Sequence, residues 1–73
     1  MQIERDEINV GDRAVYHDWW RHTDHPGVIR EVIDFSPSPG CSIVFDAPHP
    51  QYGASLWLMG CTAFSGPSMK REA

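Results

Sequence analysis

From residue 10 onward, the apolar positions of this 73-residue chain come in short runs that Gly, Pro, Asp and Ser interrupt. Short runs bounded by turn-forming residues are typical of β-strands joined by turns. No stretch keeps a helical period for three turns. The pattern therefore predicts an all-β domain of about five short strands, of which four can be placed, at residues 12–16, 27–35, 42–46 and 56–59.

Alternation within the predicted strands indicates which side chains enter the core. Ala14 and Tyr16 share one face of the first strand, and Ile43 and Phe45 share one face of the third. The second strand breaks strict alternation around residues 30–31. A β-bulge at this point would turn both residue 29 and residue 32 inward.

Polar, Gly-rich or Pro-rich segments separate these strands. Residues 17–26 are expected to form a long polar and aromatic loop, and residues 36–40 a hairpin loop. Residues 48–50 read Pro-His-Pro, which predicts an exposed loop because proline cannot continue a sheet ladder. Cys61-Thr62-Ala63-Phe64 is long enough for one helical turn before the last strand.

Strands of this length with one long early loop predict a small, strongly bent five-stranded barrel that spans residues 10–67. Residues 1–9 are half charged, with only Ile3 and Ile8 as large apolar groups, and are expected to form a flexible arm or an edge strand. Residues 68–73 are expected to be a disordered tail. A chain of this length allows a single domain.

Composition narrows the possible partners. The formal charge is −4, from ten acidic and six basic side chains, so the chain lacks the Lys/Arg stripe that binding to phosphates requires. No apolar run approaches the roughly 20 residues of a membrane span, and the first residues lack the apolar segment of a signal peptide. The expected protein is cytoplasmic and binds neither nucleic acid nor membrane.

The two cysteines are too few for the disulfide framework of a small secreted domain. In a reducing compartment, Cys41 and Cys61 are interpreted as small buried apolar residues. Whether they pair stays open at this stage.

Four segments together resemble the SH3-like barrels of Tudor-type and KOW-type modules. The resemblance covers roughly residues 10–65, and the segments occur in the order and spacing of that pattern. They are Gly11-Asp12-Arg13-Ala14, Gly27-Val28-Ile29, Ile43-Val44-Phe45-Asp46, and Leu56 to Phe64. The resemblance implies the SH3-like fold but no particular function, since this barrel hosts peptide-binding, nucleic-acid-binding and enzymatic roles.

The chain also resembles the plasmid-borne type II dihydrofolate reductases, which are tetrameric SH3-like barrels with a central pore. The shared features are Gly11-Asp12-Arg13, His49-Pro50 and Ala63-Phe64. The pore strand of that family reads Val-Gln-Ile-Tyr, whereas residues 56–59 here read Leu-Trp-Leu-Met, and Tyr16 lies near the position of the family's substrate-binding lysine. These departures remove the residues that would carry reductase activity.

The densest polar segment is residues 17–25, with three histidines and two aspartates. Imidazole and carboxylate groups suit divalent metals, and His22 and His25 could fold onto one ion. The segment lacks zinc-finger or helical histidine spacing, and the strand pattern explains the fold without a metal. We therefore expect neither a metal nor a cofactor.

The same segment can instead be a recognition surface. In SH3-like barrels the first long loop flanks the ligand groove, where aromatic faces hold proline rings or cations and acidic groups select basic residues. One of the two adjacent tryptophans is expected to pack inward. The candidate binding residues for a peptide or small molecule are Tyr16, His17, Asp18, Trp19, Trp20, Asp24 and Tyr52.

No catalytic signature is present, because the sequence has neither a Gly-rich phosphate loop nor a nucleophile elbow. The expected function is therefore that of a non-catalytic binding module of bacterial type. The alternative is a small oligomeric enzyme with its active site at a subunit interface, of the type II dihydrofolate reductase kind.

The fourth strand points to self-association. If Leu56 and Leu58 fill the barrel, Trp57 and Met59 face outward. An outer patch that contains Trp and Met has the composition of an interface, and a small core gains stability from partners. The alternative is that the N-terminal arm covers this patch. The expected homo-oligomer interface comprises Val15, Val44, Trp57 and Met59.

Overall fold

The structure, a computed structural model, describes residues 6–64 and 68–72. The strands are β1 (Arg13–Asp18), β2 (Thr23–Ile33), β3 (Gly40–His49), β4 (Gly53–Met59) and β5 (Met69–Arg71). They form one five-stranded antiparallel sheet in the order β4-β3-β2-β1-β5. The all-β prediction is therefore confirmed.

The connection between β1 and β2 is much shorter than expected. The two strands stay paired through Asp18↔Thr23, so the hairpin tip, defined here as residues 19–22, is only four residues long. Pro26 is tolerated within β2 because β3 pairs with β2 only from Gly27 onward, which leaves an edge at Pro26. The predicted long loop at residues 17–26 is wrong, because the backbone pairing of β1 with β2 continues through residues whose side chains are polar.

The Pro-His-Pro segment also differs from the prediction of an exposed loop. β3 continues to His49, which is 2% exposed. The β3–β4 pairing is interrupted between Val44 and His49, so Pro48 lies where no ladder donor is needed. Because the pairing with β4 is interrupted here, β3 can include Pro48 and still bury His49.

The predicted bulge in β2 is confirmed. The register passes from Ile29↔Ile43 to Glu31↔Ser42 and leaves Arg30 as the extra residue. Ile29 is buried, and Val32, two positions beyond the extra residue, packs against the core.

The core lies on one face of the sheet, and all five strands contribute to it. Gly27 allows β2 and β3 to approach closely, since a Cβ at this position would lie 2.3 Å from the Val44 carbonyl oxygen. The buried cluster consists of Ile8, Ala14, Ile29, Cys41, Ile43, Phe45 and Met69, against which Tyr16, Val32, Leu56, Leu58, Cys61 and Phe64 pack.

Both ends of the chain are more involved in the core than the sequence indicated. Residues 69–71, expected in a disordered tail, form β5 against β1, and the Met69 side chain is buried. Ile8 of the expected arm is also buried, and its amide donates to the Thr62 carbonyl at 3.0 Å. Ile3 and the rest of residues 1–5, like residues 65–67 and 73, lie outside the described residues.

The expected helical turn at residues 61–64 is not seen. The described residues contain no helix. Ala63 instead forms an isolated antiparallel bridge with Glu7, and the Phe64 amide donates to the Asp6 carbonyl at 2.8 Å. The segment after β4 therefore pairs with the N-terminal segment as extended chain.

Candidate functional site

Asp18, the last residue of β1, organises the hairpin tip. Its side chain is nearly fully buried and accepts four hydrogen bonds. Oδ1 accepts from the amides of Trp20 at 3.0 Å and Arg21 at 3.2 Å, and Oδ2 accepts from Arg21 Nη1 at 3.1 Å and His49 Nε2 at 2.9 Å. Burial alone raises the pKa of Asp18, but the hydrogen bonds from Arg21, His49 and Trp20 outweigh it and hold the pKa below its usual range.

His49 connects this tip to the turn that follows β3. Its side chain is fully buried, and Nδ1 accepts hydrogen bonds from the amides of Gln51 at 3.0 Å and Tyr52 at 3.2 Å. Because Nδ1 accepts both bonds, the ring proton of the neutral imidazole lies on Nε2, from which it is donated to Asp18. One imidazole thus fixes the positions of two turns.

Four aromatic side chains surround His49. Its ring centroid lies 4.3 Å from His25, 4.6 Å from Tyr52, 5.6 Å from Phe45 and 6.1 Å from Tyr16. Burial, and then the nearby His49, lower the pKa of His25. These rings pack around the histidine and close this end of the core.

Asp18, His25 and His49 bring three potential metal-ligand atoms within 4.8 Å of one another. The hydrogen-bond pattern of His49 argues against a metal there. A metal-binding histidine normally donates from the nitrogen that is not bound to the ion. Nδ1 of His49 accepts two amide hydrogens and has no room for a proton. We interpret the trio as a structural network, and the absence of a metal stays a prediction.

The hairpin tip presents two tryptophans to solvent. Trp19 is 56% exposed and Trp20 is 88% exposed, so the expectation that one of them packs inward is wrong. Both indoles lie on the turn between β1 and β2, and Tyr16 rather than a tryptophan packs against the core at this end. Trp19 is held at its edges: its ring centroid lies 4.4 Å from that of His17, and Nε1 donates to Ser68 Oγ at 3.3 Å.

The seven predicted binding residues divide into two groups. Tyr16, Asp18 and Tyr52 belong to the network around His49. The other four, His17, Trp19, Trp20 and Asp24, lie at or beside the tip, with His17 Nδ1 2.7 Å from Asp24 Oδ1. Sequence reasoning missed the roles of His49 and Arg21, and the one available signal for His49 was a histidine between two prolines shortly after the apolar run at residues 43–45.

The four predicted interface residues lie on the outer face of the sheet. Val15, Val44 and Trp57 are half-buried, and Met59 is 77% exposed. Each alternates with neighbours that pack into the core, as the strand period requires.

The two cysteines are neighbours in the core. Cys41 lies opposite Leu58 in the β3–β4 ladder, and the Cys61 amide donates to the Leu58 carbonyl at 3.3 Å. Both thiols are free. A hydrogen bond from Cys41 lowers the pKa of Cys61 to about 7, whereas that bond and burial raise the pKa of Cys41.

Comparison of the chain with protein-family models, curated proteins and solved structures gave no match. Across residues 6–64 and 68–72, no helix is long and apolar enough to cross a membrane. The features of the structure that bear on function are the hairpin tip, the His49 network and the outer sheet face.

Proposed function

We propose that this chain is a non-catalytic interaction module that binds a basic segment of a partner protein through the hairpin tip. The observation that carries the proposal is a pair of exposed indoles on a turn whose backbone is fixed by the buried carboxylate of Asp18. Tryptophan is enriched in binding hot spots. A turn that is already ordered loses little conformational entropy when it binds.

The charge around the tip favours a cationic partner. Indole faces attract Lys and Arg side chains, and Asp24 adds an exposed carboxylate beside them. Arg21, the basic residue of the tip, is held by Asp18 and by Gln51 Oε1 at 3.1 Å. The net charge of −4 acts in the same direction.

The shape of the site favours a macromolecule over a small ligand. Small-molecule sites are concave. The tip is instead a four-residue turn with both indoles exposed. A peptide or protein surface can cover two neighbouring exposed indoles, which favours a peptide segment as the partner.

The fold we propose is an SH3-like barrel. Inner side chains of all five strands belong to one core cluster, which a single sheet achieves by coiling over its own face. The bridge between Glu7 and Ala63 links the N-terminal segment to the end of β4 in support of this. Free thiols at Cys41 and Cys61 fit a cytoplasmic location.

We also propose that the module self-associates through the outer face of its sheet. The exposed Met59 and the half-buried Trp57 support this, with Val15 and Val44 on the same face.

Calorimetric titration with a Lys/Arg-rich peptide tests the binding proposal, with a Glu-rich peptide of equal length as the ligand control. We expect the basic peptide to bind more tightly and Trp20→Ala to weaken it at least tenfold. Phe35→Ala, which removes another exposed aromatic ring, is the matched control and should bind as the wild type does. Equal affinity for both peptides, or an unaffected Trp20→Ala variant, contradicts the proposal, and binding of nicotinamide nucleotides or folates favours the enzymatic alternative.

A further inference from the structure

The bulge in β2 places two opposite charges side by side on the outer face of the sheet. Ile29 and Val32 point into the core, and the intervening Arg30 and Glu31 are both exposed. A bulge allows this, because one extra residue breaks the alternation and leaves two successive side chains on the same face.

Both of these charges lack an ion pair or side-chain hydrogen bond to any residue in the ranges 6–64 and 68–72. The other arginines described in the structure are all paired with carboxylates. Arg13 pairs with Asp46 and Glu72, Arg21 with Asp18, and Arg71 with Asp6 and Asp12. Arg30 is therefore the exception in the described part of the chain.

The two unpaired charges line a groove together with two hydroxyl groups. Arg30, Glu31, Ser42 and Ser55 surround a volume of about 310 Å³ on the outer face. This groove lies within an apolar region, because Ser42 is the ladder neighbour of Trp57 and Ser55 is the ladder neighbour of Val44. The face thus combines a polar centre with apolar flanks.

The apolar part of this face is continuous toward the hairpin between β2 and β3. Ile33 and Met59 both lie opposite Gly40 in the ladder. A Cβ at Gly40 would lie 2.7 Å from Cζ2 of Trp57, so the indole packs directly against the glycine. Glycine at this position lets the tryptophan lie flat along the sheet rather than project from it.

We propose that this face binds a second copy of the chain in a two-fold dimer, with Arg30 of each protomer paired to Glu31 of the partner subunit. The inference rests on the self-association proposed above and specifies the contact that forms it. A two-fold axis that passes between these two adjacent charges brings Arg30 of each protomer opposite Glu31 of the partner subunit. The pair of charges is therefore complementary to itself.

Geometry and energetics agree with this occupant. Face-to-face sheets pack about 10 Å apart, a gap that an arginine and a glutamate side chain together can span. Burying a single unpaired charge in an apolar interface is strongly unfavourable, whereas two reciprocal pairs compensate both charges. A second copy supplies both partners at once.

Sedimentation equilibrium of the full chain tests the inference by charge reversal. The wild type is expected to dimerise at micromolar concentration. Arg30→Glu and Glu31→Arg should each raise the dissociation constant at least tenfold, because each places like charges against each other in the homodimer. Glu7→Arg reverses an exposed charge outside the groove and should leave the constant unchanged.

Mixing the two single variants in equal amounts provides the rescue experiment. A heterodimer of Arg30→Glu with Glu31→Arg sets glutamates against arginines at both contacts, so the mixture should recover the affinity of the wild type. This recovery also demonstrates that both variants fold. If the wild type dimerises and the charge reversals leave its dissociation constant unchanged, the charge pairing alone is overturned. If the wild type is monomeric, both the pairing and the proposed self-association are overturned.

Discussion

Two parts of the same core are built on different chemistry. Beneath the hairpin tip, the buried groups are Asp18 and His49, joined by a hydrogen bond and ringed by aromatic side chains. Between the centres of β2 and β3, the buried groups are Ile29, Ile43 and Cys41. Apolar burial has no direction and scales with area, whereas hydrogen bonds require particular atoms at particular angles.

The difference indicates that the two parts have different roles. Apolar burial is the dominant favourable contribution to folding, so we expect the apolar part to supply most of the stability. The polar part determines where the tip lies, because Asp18 holds the amides of Trp20 and Arg21 directly. No buried side-chain polar atom in residues 6–64 and 68–72 lacks a hydrogen-bond partner. The polar part is therefore satisfied as it stands, and removal of one member leaves others unpaired.

The largest effect is expected from the apolar part. Ile43→Ala removes a fully buried side chain and should lower the free energy of unfolding by about 2–5 kcal/mol, measured by urea denaturation. Val10→Ala, which shortens an exposed side chain, is the control and should change it by no more than about 0.5 kcal/mol. A loss at Ile43 as small as the control would mean that this part does not dominate stability.

A smaller loss is expected from the polar part. His49→Leu leaves the amides of Gln51 and Tyr52 without partners and removes one of the two hydrogen bonds that Asp18 Oδ2 accepts, and should lower stability by roughly 1–3 kcal/mol. His49→Leu should also accelerate hydrogen exchange at the amides of Trp20 and Arg21. Ile43→Ala should accelerate exchange at these amides only through global unfolding.

A double-mutant cycle with Asp18→Ala checks the origin of that loss. If Asp18 and His49 act as one pair, the double variant should lose less stability than the sum of the single variants. Additive losses would mean that the hydrogen bond between them contributes little.

The apolar part of the core could be predicted from sequence. Alternation identified Ala14, Ile43 and Phe45 as inward, and the disturbed alternation of β2 located the bulge that turns both Ile29 and Val32 inward. These predictions succeed because the period of a strand and the burial of apolar side chains are local properties. Met69 was missed because a three-residue strand is too short to show a period.

The polar part could not be predicted in the same way. Asp18, His25 and His49 have the composition of solvated loops, and only long-range pairing brings residue 18 next to residue 49. A buried polar side chain requires a partner that the local pattern does not reveal. This is why the segment at residues 17–26 was expected to be a loop and the tip proved to be four residues long.

The smallest expected effect is the pH dependence of the polar part. Burial and the neighbouring His49 lower the pKa of His25 in the folded state. As pH falls through the unfolded histidine value of about 6.5, the unfolded chain binds a proton before the folded one. Stability should therefore decrease over this window and level off below the folded pKa. Urea denaturation from pH 8 to pH 5 measures the decrease, and His25→Gln should abolish it.

Asp18 should make stability depend on pH in more acidic solution. Its hydrogen bonds lower its pKa in the folded state, so its contribution is complete above the unfolded value of about 3.9 and is lost as pH falls below it. Asp6 and Asp46 have lowered pKa values through Arg71 and Arg13 and contribute in the same range, and Asp18→Asn isolates the share of the buried carboxylate. Asp18→Asn could leave the loss of stability in acid unchanged while His25→Gln removes the loss at about pH 6.5. In that case the histidine rather than the carboxylate makes the polar part sensitive to pH.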